Sequence, residues 1–141
     1  MKLVLDSNRF FAAFIKDSKS RDILLHDMFE FYAPVEILEE IEKYKDFLIK
    51  KSKLNSNSFA ILFISLFKSI ILVSFKNYKK ELDNAREIMQ NIDIKDAPFI
   101  ALGIALHLDG IWTEDKHLFK QKKLKAYSTK DLLAIIKDKQ D

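Results

Sequence analysis

The sequence predicts an α/β fold, a parallel sheet of four to five strands covered by helices on both faces. Three observations predict it. Short apolar runs at residues 3–5, 31–33, 70–74 and 111–113, with a weaker one at 125–127, alternate with longer stretches of helical spacing. Strands that alternate with helices pair in parallel through right-handed crossovers. The strand runs also lack apolar–polar alternation, which fits a sheet with no solvated face.

The elements follow in chain order. After the first strand, residues 8–16 form a helix packed by Phe10, Phe11, Phe14 and Ile15. Ser20 caps a second helix that runs to Met28. After the strand at 31–33, Pro34 opens a helix at the first helical position, where a missing N–H is tolerated. Ser56 or Ser58 begins a Phe-rich helix that stays buried over 59–67. From Phe59 to Phe75 the chain is apolar except for Ser65, Lys68, Ser69 and Ser74. That is shorter than the roughly 20 residues that cross a bilayer, and Lys68 lies inside it. It reads as a helix followed by the β-branched strand at 70–74, with a membrane span as the alternative. Tyr78, Leu82, Ala85, Met89 and Ile92 recur at helical spacing. Asp96 starts a largely apolar helix to Leu108, and Thr129 caps a last helix packed by Leu132, Leu133 and Ile136.

The bulk composition narrows the function. A chain of 141 residues suits one domain over 1–141. Cysteine is absent, which excludes disulfides and thiolate metal sites and agrees with a cytoplasmic protein. Lys2 is followed by only three apolar residues before Asp6, so no signal peptide is expected. Gly103 and Gly110 form no phosphate-cradling loop. A net charge of +3 says little about nucleic acid, and the placement of the charges matters more.

Among the 21 acidic residues, a few stand where solvation is not the obvious explanation. Asp6 ends the first strand run, either as a cap for the next helix or as a ligand at the sheet edge, where α/β proteins bind. Asp115 repeats that setting after the run at 111–113. Asp96 is a good N-cap candidate, yet it opens a helix that is apolar nearly all round and therefore central. Asp93, one turn earlier, is its substitute or assistant. The helix after Pro34 carries Glu36, Glu39, Glu40 and Glu42 around an apolar face of Ile37, Leu38, Ile41 and Tyr44. At ~100° per residue, Glu40 lies about 90° from the centre of that face and Glu39 nearly opposite. Glu40 therefore leans along the protein body, and Glu36, Glu39 and Glu42 read as solvated. Carboxylates brought together repel and call for a compensating cation. Oxygen donors alone select a hard ion, Mg²⁺ or Mn²⁺. His26, His107 and His117 have no ligand spacing, and His117 is near enough to Asp115 to meet a substrate. Lys116, Lys120, Lys122 and Lys123 crowd the same stretch. Runs of lysine are usually solvated faces. Beside an acidic metal site, this one suits the phosphates of a polyanion.

Together these residues resemble the PIN-domain nuclease family. The resemblance runs from LVLDSN at the start, through PVEILEEIEKY and IDIKDAPFIALGIAL, to GIWTEDKHL, and is weakest across the Phe-rich middle. It implies a three-layer α/β/α sandwich with a central parallel sheet, and a Mg²⁺- or Mn²⁺-dependent ribonuclease. It implies Asp6, Glu40, Asp96 and Asp115 as the four catalytic acids, with Asp6, Asp96 and Asp115 on the metal. Asn8 and Thr113 take supporting positions, and Glu39 stands as the alternative to Glu40. Gly103 departs from the alanine common in the central helix. Similarity to the PIN-domain toxins of toxin–antitoxin pairs implies RNA as substrate, a small antitoxin as partner and a homodimer. Aromatic-rich helices at 8–28 and 58–67 either serve such contacts or are simply core. Two other readings are weighed against this one. A non-catalytic PIN module would bind RNA or protein without turnover. A dehalogenase-like phosphatase would need a second Asp where Asn8 stands.

Overall fold

A computed structural model describes residues 1–15 and 18–140. Its five strands are β1 (Lys2–Leu5), β2 (Glu30–Pro34), β3 (Ile70–Val73), β4 (Gly110–Trp112) and β5 (Ala126–Tyr127). They form one sheet in the order β3-β2-β1-β4-β5, with every neighbouring pair parallel. The helices are α1 (Ser7–Ala12), α2 (Lys19–Leu24), α3 (Ile37–Ser52), α4 (Ser56–Phe67), α5 (Leu82–Met89), α6 (Ala97–Ala105) and α7 (Thr129–Gln140).

Strand residues alternate between two cores, which makes the sandwich three layers deep. Leu3, Leu5, Phe31, Ala33 and Trp112 pack with Phe10 of α1, Ile23 of α2, Ile37 and Ile41 of α3, Phe59 of α4 and Leu132 of α7. Val4, Ile111 and Val73 face the other way, onto Leu82, Ala85 and Met89 of α5 and Ile100 and Leu102 of α6. The short parallel strands are thus buried on both faces. α6 is the central helix that its composition predicted, with Ala97, Phe99, Ile100, Ala101, Leu102 and Gly103 all buried.

Several local expectations are corrected. The cap of α2 is Ser18, whose hydroxyl accepts from the N–H groups of Ser20 and Arg21; Ser20 is buried inside the helix. That helix ends at Leu24, not Met28. Pro34 does not open a helix. Its ladder with β3 continues to Val73, and the Val35 N–H bonds the Val73 carbonyl, so the strand runs through Pro34 and a turn at Val35 and Glu36 leads into α3 at Ile37. The cap of α7 is Ser128, which exchanges hydrogen bonds with Asp131 in a reciprocal capping box. The helix predicted over 8–16 begins at Ser7 and ends at Ala12; Lys16 lies outside the described residues. Ile15 is half-exposed rather than packed. α4 is not fully buried: Phe59 and Leu66 face the core, while Ile61 and Ile64 face solvent because the helix covers the outside of the layer. Tyr78 is buried but precedes α5, held by two short 3₁₀ turns. The last predicted turn of α6 is replaced by a terminator. His107 adopts φ 52°, and the Leu108 N–H returns to the Gly103 carbonyl. Among the described residues, no helix is long and apolar enough to cross a membrane.

The sheet topology has one consequence for function. β2 and β3 lie to one side of β1, and β4 and β5 to the other, so the strand order reverses between β1 and β4. Such a switch point leaves a crevice outside the carboxyl ends of the two strands.

Gly110 holds the β4–β5 side of the sheet together by its smallness. A Cβ there would lie 2.4 Å from the Lys125 carbonyl oxygen and 2.6 Å from the Tyr127 ring. At Gly103 the equivalent clash, 2.4 Å, is with the tip of the Leu124 side chain, which can turn away. Gly110→Ala should therefore cost about 1–3 kcal/mol through backbone displacement, read as a lower urea midpoint at constant slope. Gly103→Ala should cost less, since helical alanine gains about 1 kcal/mol over glycine.

Candidate metal centre

The register of β1 against β4 places Leu5 opposite Trp112, so Asp6 and Thr113 leave the sheet side by side. Asp6 then turns the chain into α1. Its carboxylate accepts the Asn8 N–H at 3.5 Å, which makes it an N-cap, and the Thr113 hydroxyl at 2.6 Å. The two readings of Asp6 are thus combined in one residue: it caps α1 and still projects from the sheet edge. Thr113 is fully buried, and its Oγ1 also accepts the Asp115 N–H at 2.9 Å. A relay therefore runs from the Asp115 backbone through Thr113 to Asp6 and ties the ends of two strands. The Asp115 carboxylate is turned by the His117 N–H, which donates to Oδ1 at 2.9 Å.

Asp96 enters from the opposite layer. It stands at the N-terminus of α6 but makes no capping hydrogen bond, so capping does not account for it. Asp93 does the local work instead, accepting the Lys95 N–H at 3.1 Å at the start of the preceding 3₁₀ turn. Asp93, Asp96 and Asp115 each offer a carboxylate oxygen, and these lie within 4.8 Å of one another. Glu40, one turn into α3, faces the same region beside Ser7 and Lys43. Glu39 is exposed. Glu36, expected in solvent, accepts a hydrogen bond from the buried Tyr78 hydroxyl, so it is anchored between layers. Burial and this carboxylate push the Tyr78 hydroxyl up.

The electrostatics follow from this convergence. Burial raises the Asp96 pKa to about 7, helped by the charges of Asp6, Asp93, Asp115 and Glu40. Burial also raises Asp6, against the hydrogen bonds from Thr113 and Asn8 and the charge of Arg9. Glu40 is raised by burial and by Asp6, and held back by Ser7 and Lys43. The Ser7 hydroxyl is buried beside Glu40 without a hydrogen bond of full geometry. Five carboxylates converge here, and the raised pKa of Asp6, Glu40 and Asp96 marks a site that a divalent cation would relieve. With oxygen donors only, the set fits Mg²⁺ or Mn²⁺. The ligand-distance triple contains Asp93 where the sequence pointed to Asp6. Asp6 lies close enough to raise Asp96, with its oxygens engaged by Thr113 and Asn8.

A cavity of about 540 Å³ opens over the acids, lined by Asn8, Glu40, Lys43, Tyr44, Asp93, Lys95 and Asp96. Lys116, His117, Lys120, Lys122 and Lys123 are all exposed on the segment after β4. Of these, His117 meets the acids, with Nδ1 3.5 Å from Asp115. The cations that line the cavity, Lys43 and Lys95, escaped the sequence reading because neither belongs to a basic run. Their signal was position: Lys43 is three residues after Glu40 and Lys95 directly precedes Asp96.

A family model described as PIN domain matches residues 4–133, a span that contains every acid of the site. Comparison with curated proteins finds no significant match. Sheet order, switch-point crevice and converging acids agree with that match, and the chain belongs to the PIN domain family, whose members are generally nucleases.

Proposed function

We propose that this chain, one domain over 1–141, is a metal-dependent endoribonuclease that hydrolyses RNA phosphodiester bonds. The observation that carries the reading is the convergence of Asp93, Asp96 and Asp115 around a common point, with Asp6 and Glu40 alongside. Asp96, Asp115 and Asp93 would hold Mg²⁺ or Mn²⁺, with Asp6 and Glu40 direct or through water. A divalent ion held there supplies Lewis-acid charge for the phosphate and acidifies water.

The chain's own groups do the rest. Thr113 fixes the Asp6 carboxylate by a hydrogen bond and orients Asp115 through its backbone. The Asn8 N–H holds the second oxygen of Asp6. Glu40, raised by burial and by Asp6, is suited to accept and return a proton at the cavity wall. Lys43 and Lys95 bring positive charge to the cavity that a phosphate would enter. The segment with Lys116, His117, Lys120, Lys122 and Lys123 extends that field beyond Asp115. In-line attack by water leaves a 5′-phosphate and a 3′-hydroxyl. Similarity to the toxin-like members supports three further parts of the proposal: a small antitoxin partner, a homodimer and a cytoplasmic location. A small reading frame beside this one, whose product co-purifies with the chain, is the test of that part.

Asp96→Asn should abolish Mn²⁺-dependent cleavage of single-stranded RNA, with the fold retained by circular dichroism. Full cleavage by that variant, free of contaminating nuclease, would overturn the assignment. Thr113→Val keeps shape but removes the tie to Asp6, and should lower metal affinity or activity about 10- to 100-fold. Chelation should silence the wild type, and added Mn²⁺ should restore it.

The acids also predict a pH dependence. The Asp96 pKa in the fold, about 7, lies above its ordinary 3.8, so between these values the folded chain keeps a proton that the unfolded chain releases. Stability of the metal-free protein should fall as pH rises through that window. Saturating Mn²⁺ should raise the melting temperature more at pH 8 than at pH 5, because protons compete with the ion. Equal shifts at both values would contradict the site.

A further inference from the structure

α3 carries two exposed apolar flanks on either side of its buried seam of Ile37, Ile41 and Leu48. At ~100° per residue, Glu40, Tyr44, Phe47 and Lys51 fall on one stripe, and Leu38 falls on the opposite flank. The two flanks differ in how far their rings are exposed. The Leu38 side faces α4 across an apolar groove walled by Ile64 and by Phe59, Phe63 and Phe67, the three rings all at least partly buried. The other side exposes two rings, Tyr44 at 41% and Phe47 at 57%. Each ring has its own lysine: Lys43 Nζ lies 5.5 Å from the Tyr44 centroid and Lys51 Nζ 5.8 Å from that of Phe47.

The stripe is continuous with the acidic site. Tyr44 and Lys43 line the cavity over the carboxylates together with Asn8. Asn8 also lines a second cavity, of about 340 Å³, whose walls include Arg9, Phe11, Phe47 and Lys51. Arg9 Nε is buried there without a hydrogen-bond partner. From Glu40 to Lys51 the helix rises about 16 Å, so the track starts at the acids and leads away from them. Rings paired with cations along a groove are how proteins hold unpaired bases without reading their sequence. Exposed rings also mark protein interfaces, and the lysine beside each ring is what favours a polyanion here.

We propose that the Glu40–Lys51 stripe of α3 is a track for single-stranded RNA, with one base stacked on Tyr44, one on Phe47, and adjacent phosphates held by Lys43, Lys51 and Arg9. This rests on the ribonuclease reading for the choice of polymer, and it assigns the approach path separately from the lysine run after β4. The track leaves duplex RNA excluded, because paired bases present no free face to the rings.

Fluorescence anisotropy with a labelled ten-nucleotide oligoadenylate, calcium replacing manganese, tests the track against an abasic oligomer of equal length and charge. The wild type should prefer the oligoadenylate. Tyr44→Leu and Phe47→Leu keep apolar bulk and should each weaken oligoadenylate binding about 5- to 100-fold, leaving abasic binding unchanged. Trp at either position should preserve the preference. Equal binding of the two oligomers by the wild type, or wild-type affinity in both leucine variants, would overturn the track. So would unchanged RNA binding with altered self-association by sedimentation, which marks a protein interface. Manganese-dependent cleavage is read separately. Stacking without cleavage supports the track and removes the nuclease reading, and cleavage without the stacking preference does the reverse.

Discussion

The pairing of β1 with β4 is the constraint on which the rest of the site depends. These strands are 105 or more residues apart in the chain, yet their register decides where Asp6 and Thr113 emerge. A shift by one residue would turn Leu3 and Leu5 to the wrong core and carry Asp6 to the opposite face. The hydrogen bond from Thr113 to Asp6 is therefore a consequence of core packing. Gly110 guards the same strand from the other side by admitting the Lys125 carbonyl. Stability and site geometry share one set of contacts here.

Charge is the second constraint, and it works against the first. Packing both layers onto the sheet brings Asp96 and Asp93 from one side toward Asp6, Asp115 and Glu40 from the rest of the edge. Desolvation and mutual repulsion then raise Asp6, Glu40 and Asp96 together. A fold selected for stability alone would not retain such a cluster. Nearby groups soften it only in part: Thr113 and Arg9 for Asp6, Ser7 and Lys43 for Glu40. The repulsion left over is compatible with a divalent ion among these acids. α3 links this site to its surroundings, since the helix that supplies Glu40 also presents Tyr44 and Phe47 to solvent.

Legibility in the sequence varied with the range of the interaction. Strands and the central helix could be read because apolar runs report burial directly, and α6 is buried as its composition demands. Caps were misplaced by one or two residues at α2 and α7, because several nearby hydroxyls compete and the chain path picks one. Pro34 carries a local helix-start signal, but its strand partner, β3, lies almost 40 residues on, and that ladder overrides the signal. Helical angle alone separates Glu40, which is partly buried, from the exposed Glu39, because that angle is a local property that survives folding. It does not set Glu36 apart, because Tyr78 comes from a distant turn.

By itself, the sequence determined the alternation of strands and helices, the absence of thiolate chemistry and the identity of the acids at strand ends and helix starts. These depend on residue type and on periods of a few residues, which the chain carries locally. Only the tertiary structure decided which acids meet. It brought carboxylate oxygens of Asp93, Asp96 and Asp115 within 4.8 Å of one another, and tied Asp6 to Thr113. It left the lysine run after β4 exposed while Lys43 and Lys95 reached the cavity. The physical reason is that carboxylate convergence is set by strand register and by the docking of α3 and α6 on opposite faces of the sheet. Those distances are fixed by packing between segments far apart in the chain, and no local pattern encodes them.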